Sequence, residues 1–348
     1  MYMKIFKQRN HFFYIIATCI VSSLFFASCV EEDDDYNYST DGTYMYGNLT
    51  ATVHDYSVKG STVFFKASGV SNFTDDKVSY AWEITDTTTY SLWGQTVKYT
   101  FPEEDINVTV FFIAEAYDVF GLGAEKTTNL IAGTFSEAVQ FPEGTIESDT
   151  FIDTRDNQTY QYLTIGSHDW MTQNLNWAGP NANSPIGKTY KNESEYGILY
   201  GRLYSWNEAT STTNPVCPTG WHLPTNAEWE DLGQILTGEA VTFENQWNNA
   251  GRNASANANI KGANMWVYSP DNTKTNTQGW NALPAGKVIG NGTSVISNDL
   301  GRYGYWWSAT EHTAATAHYR YIMYNNARFY PNYGDKTGQY LSIRCVRD

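Results

Sequence analysis

Residues 217–232 read Cys-Pro-Thr-Gly-Trp-His-Leu-Pro-Thr-Asn-Ala-Glu-Trp-Glu-Asp-Leu, and this stretch decides much of the fold. Thr225 and Glu228 stand in the Thr-x-x-Glu relation of a capping box, in which each side chain binds a free backbone N–H of the first turn. Pro224 restrains the preceding residue to an extended conformation. The stretch therefore predicts a helix that begins after Thr225. Four apolar residues then recur at helical spacing and predict one buried stripe: Trp229, Leu232, Ile235 and Leu236.

Residues 1–28 have the pattern of a targeting segment: a basic start, an apolar run from Phe12 to Phe26, and small residues ahead of Cys29. The run is shorter than the roughly 20 residues of a spanning helix. The last residues resemble a bacterial lipobox, which implies cleavage before Cys29 and a lipid anchor on that cysteine. An ordinary secretory signal and a retained anchor are the alternatives.

Residues 29–43 read as an acidic tether, because Glu31 to Asp35 carries five carboxylates in succession. Such a run is typical of a solvated, extended segment. It also resembles the export signal that sends Bacteroidetes lipoproteins to the outer face of the outer membrane. We therefore expect a lipid-anchored protein of the outer membrane that faces the extracellular side.

The chain is acidic, with a formal net charge of −15 over 348 residues. Binding to a phosphate backbone needs clustered Lys and Arg, so nucleic acid is not an expected partner. Aromatic residues make up 16% of the chain and include 12 Trp. This content fits a densely packed exported protein or a surface on which ligands stack.

Two cysteines remain after the targeting segment, because Cys19 lies inside it and Cys29 takes the lipid. Cys217 and Cys345 are most simply one disulfide in an exported chain. Near the end of the chain, Leu341, Ile343 and Cys345 alternate onto one face of a predicted strand. Closing so long a loop stabilises a fold by ~3–5 kcal/mol on a chain-entropy estimate. A reactive thiol and a metal ligand are the rival interpretations.

Residues 44–133 are predicted to form an all-β domain, because β-branched and aromatic runs alternate with Gly, Asn and Asp turns. The clearest runs are 62–66, 77–84 and 107–116. Tyr80-Ala-Trp82 and the later runs resemble the immunoglobulin-like sandwich of polycystic-kidney-disease (PKD) type, which implies a spacer role. Residues 134–150 read as a linker.

Residues 151–348 are predicted to form an α+β domain that opens with a β-hairpin, so the fold class is multi-domain. Their aromatic and turn residues resemble the Fibrobacter succinogenes major paralogous domain, which looks related to the C-type-lectin-like fold. That likeness implies a bond from a cysteine near the first helices to the last strand, and it carries no known catalytic residues. The matching segments are Ile165-Gly166, Trp170-Met171, Asn174-Leu175, Tyr196-Gly197, Leu199-Tyr200, Tyr204-Ser-Trp206, Cys217 to Pro224, Glu228-Trp229, Gly279, Ala282-Leu-Pro284, Trp307 to Glu311 and Arg344 to Asp348.

Enzymatic and metal sites are not expected. Residues 223–230 also resemble a stretch of formylglycine-generating enzymes, which need a reactive cysteine pair, whereas the cysteines here are expected to be bonded.

His222 is predicted to donate to a backbone carbonyl, and Glu311 to pair with Arg320 or Arg344 inside the fold. The sequence contains no His-Glu-x-x-His and no calcium-lectin motif, so no cofactor is predicted.

A ligand surface is expected in the polar loop region 237–305, where Trp247, Trp266, Tyr268 and Tyr303 are candidate ligand-binding residues. Aromatic rings in such loops can stack on a sugar or pack on a protein, or they can pin the loops to the core. We therefore expect a non-catalytic recognition domain for a glycan or an envelope protein. A structural or assembly component is the second hypothesis, and a polysaccharide-acting enzyme is the third.

Overall fold

The computed structural model describes residues 45–348 except 72, 75–76, 117–118, 239–246 and 292–293. The predicted targeting segment, Cys29 and the acidic tether lie outside the described residues. Within the described part of the chain, no helix combines the length and the apolar character needed to cross a membrane.

The described chain is mostly β-structure with five short α-helices. In chain order, the elements are β1 (Gly47–Ala51), β2 (Tyr56–Val58), β3 (Thr62–Val70), β4 (Ser79–Thr85), β5 (Thr89–Trp93), β6 (Thr96–Thr100), β7 (Asn107–Ala116), β8 (Val119–Ile131), α1 (Phe135–Ala138), β9 (Asp149–Asp153), β10 (Gln158–Ile165), β11 (His168–Met171), α2 (Ser194–Tyr200), β12 (Leu203–Tyr204), α3 (Trp206–Ala209), β13 (Trp221–His222), α4 (Asn226–Thr237), α5 (Ala250–Ala254), β14 (Asn259–Ile260), β15 (Ala263–Asn264), β16 (Lys287–Asn291), β17 (Ser294–Asn298), β18 (Tyr303–Glu311), β19 (Thr316–Met323), β20 (Phe329–Asp335), β21 (Gln339–Ser342) and β22 (Val346–Arg347).

The first eight strands form two sheets that share one core, as the alternating pattern predicted. One sheet has the order β1-β3-β6 and the other the order β2-β8-β7-β4-β5. Trp82 is fully buried between them and stacks on Phe65 and Phe112, with ring centroids 6.1 and 5.1 Å apart. Its indole N–H donates to the carbonyl of Gly94 at 2.8 Å. We call this part, residues 45–131, the sandwich.

The rest of the chain is built on two further sheets. The smaller has the order β13-β22-β11-β10-β9, and its β9–β10 pair is the hairpin that the sequence predicted. The larger has the order β17-β16-β21-β18-β19-β20, with β12 also paired to β21. We call this part, residues 149–348, the C-terminal region. Its strands and helices confirm the predicted α+β character.

Helix α4 begins as the sequence predicted. Thr225 is its N-cap, and the Thr225 hydroxyl and the Glu228 carboxylate bind each other's backbone N–H groups. Trp229, Leu232 and Leu236 are buried, so the apolar stripe faces the core. The capping box thus fixes where the chain turns from strand β13 into the helix.

The end of the chain is buried on both faces. Leu341, Ile343 and Cys345 lie in one apolar cluster, and Cys345 forms a disulfide with Cys217, which confirms that prediction. Strand β21 ends at Ser342, earlier than expected. The side chains between the alternating apolar positions, Ser342 and Arg344, are also fully buried.

Arg344 is a buried cation whose hydrogen-bond acceptors are neutral. Its guanidinium donates to the backbone carbonyls of Trp280 and Asn281 and to Oδ1 of Asn174, the last at 2.9 Å. It also lies over the Trp280 ring, 4.2 Å from the centroid. Burial lowers the pKa of Arg344. The arginine therefore ties the loop before β16 to the end of the chain.

The side chain of Glu311 is not buried in the fold. Its side chain is 56% exposed at the end of β18 and pairs with Lys336 at 2.6 Å. The predicted buried pair of Glu311 with Arg320 or Arg344 is therefore wrong. Arg320 instead donates to Oδ1 of Asn226 at 3.1 Å.

The sandwich and the C-terminal region belong to one compact unit, residues 45–348. Asp55 of the sandwich accepts hydrogen bonds from Lys191 and, at 2.8 Å, from the hydroxyl of Tyr196. Within the predicted linker 134–150, Ala138 and Val139 are buried in an apolar cluster that also contains residues of α2. The two parts are thus joined by packing as well as by the chain.

We expect Arg344→Met to lower the free energy of unfolding by about 3–5 kcal/mol, because the two carbonyls and the amide oxygen would lose a buried donor. Urea unfolding under non-reducing conditions measures this. Arg302→Ala is the control, since Arg302 is exposed, and its effect should stay within about 0.5 kcal/mol. Equal effects of the two substitutions would contradict the role given to Arg344.

Candidate binding site

Two of the four aromatic residues proposed from the sequence cannot contact a ligand. Trp247 is 0% and Trp266 is 3% exposed. The Trp247 ring packs against α4 at Gly233, where a Cβ would lie 2.3 Å from the ring. The Trp266 indole donates to the carbonyl of Ala282 at 3.0 Å. The prediction that these rings line a ligand surface is therefore wrong, and both pin the loop region to the core.

Tyr268 and Tyr303 lie nearer the surface. Tyr268 is 78% exposed, whereas Tyr303 is half-buried and stacks on Tyr305 with a centroid distance of 5.5 Å. The backbone N–H of Val267 donates to the carbonyl of Gly301 at 2.8 Å. The Tyr268 loop therefore lies beside the segment that leads to Tyr303, and these two residues remain candidates.

A cleft that the sequence did not predict lies beside the disulfide. It has a volume of ≈ 390 Å³, within the range of small-molecule sites. We call it the cystine cleft. Its lining residues are Arg155, Trp177, Pro180, Thr213, Asn214, Pro215, Cys217, Pro218, Thr219, Gly220 and Trp221. A signal in the sequence was the density of Pro and Trp around Cys217.

Arg155 organises one wall of the cystine cleft. Its Nε and Nη2 donate to the buried carboxylate of Asp153, and its Nη1 and Nη2 donate to the carbonyls of Pro215, Cys217 and Val216. The guanidinium lies 3.9 Å from the centroid of the Trp177 ring. Its charge is thus paired inside the protein, and its donors hold the loop that precedes the disulfide.

A second cleft of ≈ 310 Å³ is lined in part by the same loop. Pro215, Cys217 and Trp221 line both clefts. Cys217 is bonded to Cys345 in the buried end of the chain. The lining that the two clefts share is therefore covalently tied to the core. The two clefts therefore share a rigid wall.

His222 lies between two carboxylates at the edge of the second cleft. Its Nδ1 is 2.6 Å from Oδ1 of Asp348 and its Nε2 is 2.7 Å from Oε1 of Glu228. The predicted bond to a backbone carbonyl is therefore wrong. Burial opposes protonation of His222, but the hydrogen bonds to the two carboxylates outweigh it and raise the pKa. Glu228 in turn has a lowered pKa: burial would raise it, but bonds from Thr225 and His222 prevail.

Among the residues that the structure describes, no group of three or more His, Cys, Asp or Glu side chains is arranged to hold a metal ion.

The family model of the Fibrobacter succinogenes major domain matches residues 163–347, more than half of the chain. The chain belongs to this family. The match lies inside the predicted domain 151–348 and confirms the likeness that the sequence indicated. The matched range contains both cysteines of the disulfide in this Fibrobacter succinogenes major domain protein. It also contains most of the residues that line the cystine cleft. Comparison with curated proteins and with solved structures gave no match.

We expect His222→Gln to cost stability at acidic pH and little at alkaline pH. Because the pKa of His222 is raised in the folded state, its ion pairs with Glu228 and Asp348 stabilise the protein fully below about pH 6.5. This stabilisation is lost as the pH rises through the folded pKa. Because the side chain is 38% exposed, solvent screening limits the effect to about 0.5–1 kcal/mol. Urea unfolding of both proteins at pH 5.5 and pH 8.5 measures it. The same difference at both pH values would contradict the assignment.

Proposed function

We propose that this protein is a surface-exposed bacterial lipoprotein whose Fibrobacter succinogenes major domain is a non-catalytic recognition module. Its ligand would be a glycan or a cell-surface protein. The cystine cleft carries the proposal, because it is a fixed concave site walled by Trp177 and Trp221. The lipid anchor at Cys29 and the position on the outer membrane rest on the N-terminal sequence alone.

The chemistry of the cleft lining favours binding over catalysis. The lining includes no His, Asp or Glu, and its cysteine is held in the disulfide. A general acid or base needs a titratable group within reach of the reacting atoms. The one charged lining residue is Arg155, whose N–H groups already have acceptors inside the protein.

The same lining favours an uncharged ligand. Asp153 neutralises Arg155, so the cleft presents no free cation for an acidic sugar or a phosphate. Trp177 and Trp221 are only 5% and 9% exposed, so most of the accessible apolar surface comes from the exposed rings of Pro180 and Pro215. Such surfaces suit the apolar faces of a neutral sugar or of a proline-containing peptide. The cleft lining also supplies polar groups, on Thr213, Asn214 and Thr219. Binding would therefore depend on shape and hydrogen bonding without a metal or other cofactor.

We further propose a C-type-lectin-like fold for the C-terminal region and a PKD-like fold for the sandwich. The bond between the segment before α4 and the end of the chain supports the first. The two sheets around Trp82 support the second.

An assembly role is the second candidate, and the hairpin of β16 and β17 favours it. Strand β17 is at the edge of the larger sheet, and Ile289, Val295 and Ile296 are 41%, 37% and 63% exposed. An edge strand with apolar side chains can add a strand from another chain. Co-purification with envelope proteins, lost on Ile296→Lys, would favour this role.

We expect Thr219→Trp to weaken ligand binding about tenfold or more, because Thr219 is an exposed lining residue and the larger side chain would fill the cystine cleft. A glycan array, followed by titration of the best ligand, measures this. Thr277→Trp is the matched control, since Thr277 is exposed and outside the cleft.

Equal binding by both variants and the unchanged protein, at equal melting temperature, would contradict the proposed site. Release of products from a bound polysaccharide on long incubation would contradict a non-catalytic role.

A further inference from the structure

The sandwich has an exposed tryptophan of its own, Trp93. The chain has 12 Trp, and Trp93 is 57% exposed whereas the others are buried or half-buried. A large exposed apolar side chain is a more informative observation than a buried one. Trp93 lies at the end of β5, the edge strand of the five-stranded sheet.

The strand register shows which residues share the outer face of this sheet with Trp93. Directly opposed residues in neighbouring strands point to the same face. The row of Trp93 crosses β5, β4, β7 and β8 and consists of Trp93, Ala81, Ile113 and Gly123. The next row crosses the same strands and consists of Ser91, Glu83, Phe111 and Glu125.

Phe111 therefore lies between two carboxylates, Glu83 on one side and Glu125 on the other. Neighbouring strands are about 4.8 Å apart, so the Cα atoms of the two glutamates are separated by about 10 Å. Gly123 places no side chain beside the Phe111 ring. A Cβ at this position would lie 3.5 Å from Phe111 and Ile113. Phe111 is half-buried, so part of its side chain is exposed on the same face as the two glutamates.

The charge of this face determines which ligands suit it. The two rows contain no Lys, Arg or His. Burial raises the pKa of Glu83, as expected for a carboxylate partly removed from water without a compensating cation. A cationic group above Phe111 would favour the charged form of Glu83 and lower its pKa again. An anionic ligand would meet two carboxylates instead.

We propose that this face of the sandwich binds a lysine or arginine side chain from a basic segment of a partner protein. The cationic group would lie over the Phe111 ring between Glu83 and Glu125, an arrangement that combines a cation–π contact with two ion pairs. Trp93, one row away, would pack against the aliphatic stem or the neighbouring residue. This site goes beyond the proposed function, which assigns recognition to the C-terminal region.

Charge complementarity favours a basic segment over a sugar chain. A neutral sugar would stack on the indole of Trp93 and donate hydroxyl hydrogen bonds to the carboxylates, but it carries no positive charge to offset theirs. A cationic side chain uses both the rings and the carboxylates.

The test is titration of the full chain with a fluorescein-labelled hexa-arginine peptide at about 0.15 M salt, where distant charges are screened. Glu83→Gln combined with Glu125→Gln should weaken binding about tenfold or more. Glu143→Gln combined with Glu147→Gln changes the net charge equally at two exposed positions outside the sandwich and should leave the affinity within about twofold. Trp93→Ala should weaken binding without lowering the melting temperature.

Equal losses from the two double variants would overturn the proposal, since they would show only general attraction to an acidic protein. Failure of the unchanged protein to bind the peptide would also overturn it. So would Trp93-dependent binding of a neutral oligosaccharide in place of the peptide. None of these outcomes involves the cystine cleft, so they leave the proposed function to its own test.

Discussion

The last residues of the chain connect the separate parts of the C-terminal region. Cys345 is bonded to Cys217, 128 residues earlier in the sequence. Arg344 binds the loop around Trp280, and Val346 pairs with both Trp170 and His222. A covalent bond, a buried cation and a strand ladder thus act within three consecutive positions. Each of these interactions requires the end of the chain to occupy one place in the fold.

The cystine cleft follows from this constraint. Its loop is held from one side by the disulfide at Cys217 and from the other by Arg155, which binds three successive carbonyls and stacks on Trp177. A site whose walls are already fixed loses little conformational entropy when a ligand binds. The packing of the sandwich against the C-terminal region also places its acidic outer face on the same compact unit. The two proposed recognition surfaces would then act on ligands from one compact unit.

Local features of the sequence predicted more than distant ones. The start of α4 follows from Thr225 and Glu228, which are three residues apart, and the strands of the sandwich follow from alternation within short runs. The disulfide was predictable because few cysteines remained to pair. By contrast, burial of Trp247 depends on the absence of a side chain at Gly233, and the partner of Glu311 is Lys336 in the turn between β20 and β21. The cystine cleft and the row of Glu83, Phe111 and Glu125 depend on tertiary contacts and strand register, which one sequence does not reveal.

The disulfide between Cys217 and Cys345 closes the C-terminal region and holds the loop that lines both of its clefts. Peptide mapping by mass spectrometry, without reduction, of protein recovered from its native envelope tests this most directly. We expect one cross-linked pair of peptides that contains both cysteines. Recovery of both cysteines as free thiols would contradict it.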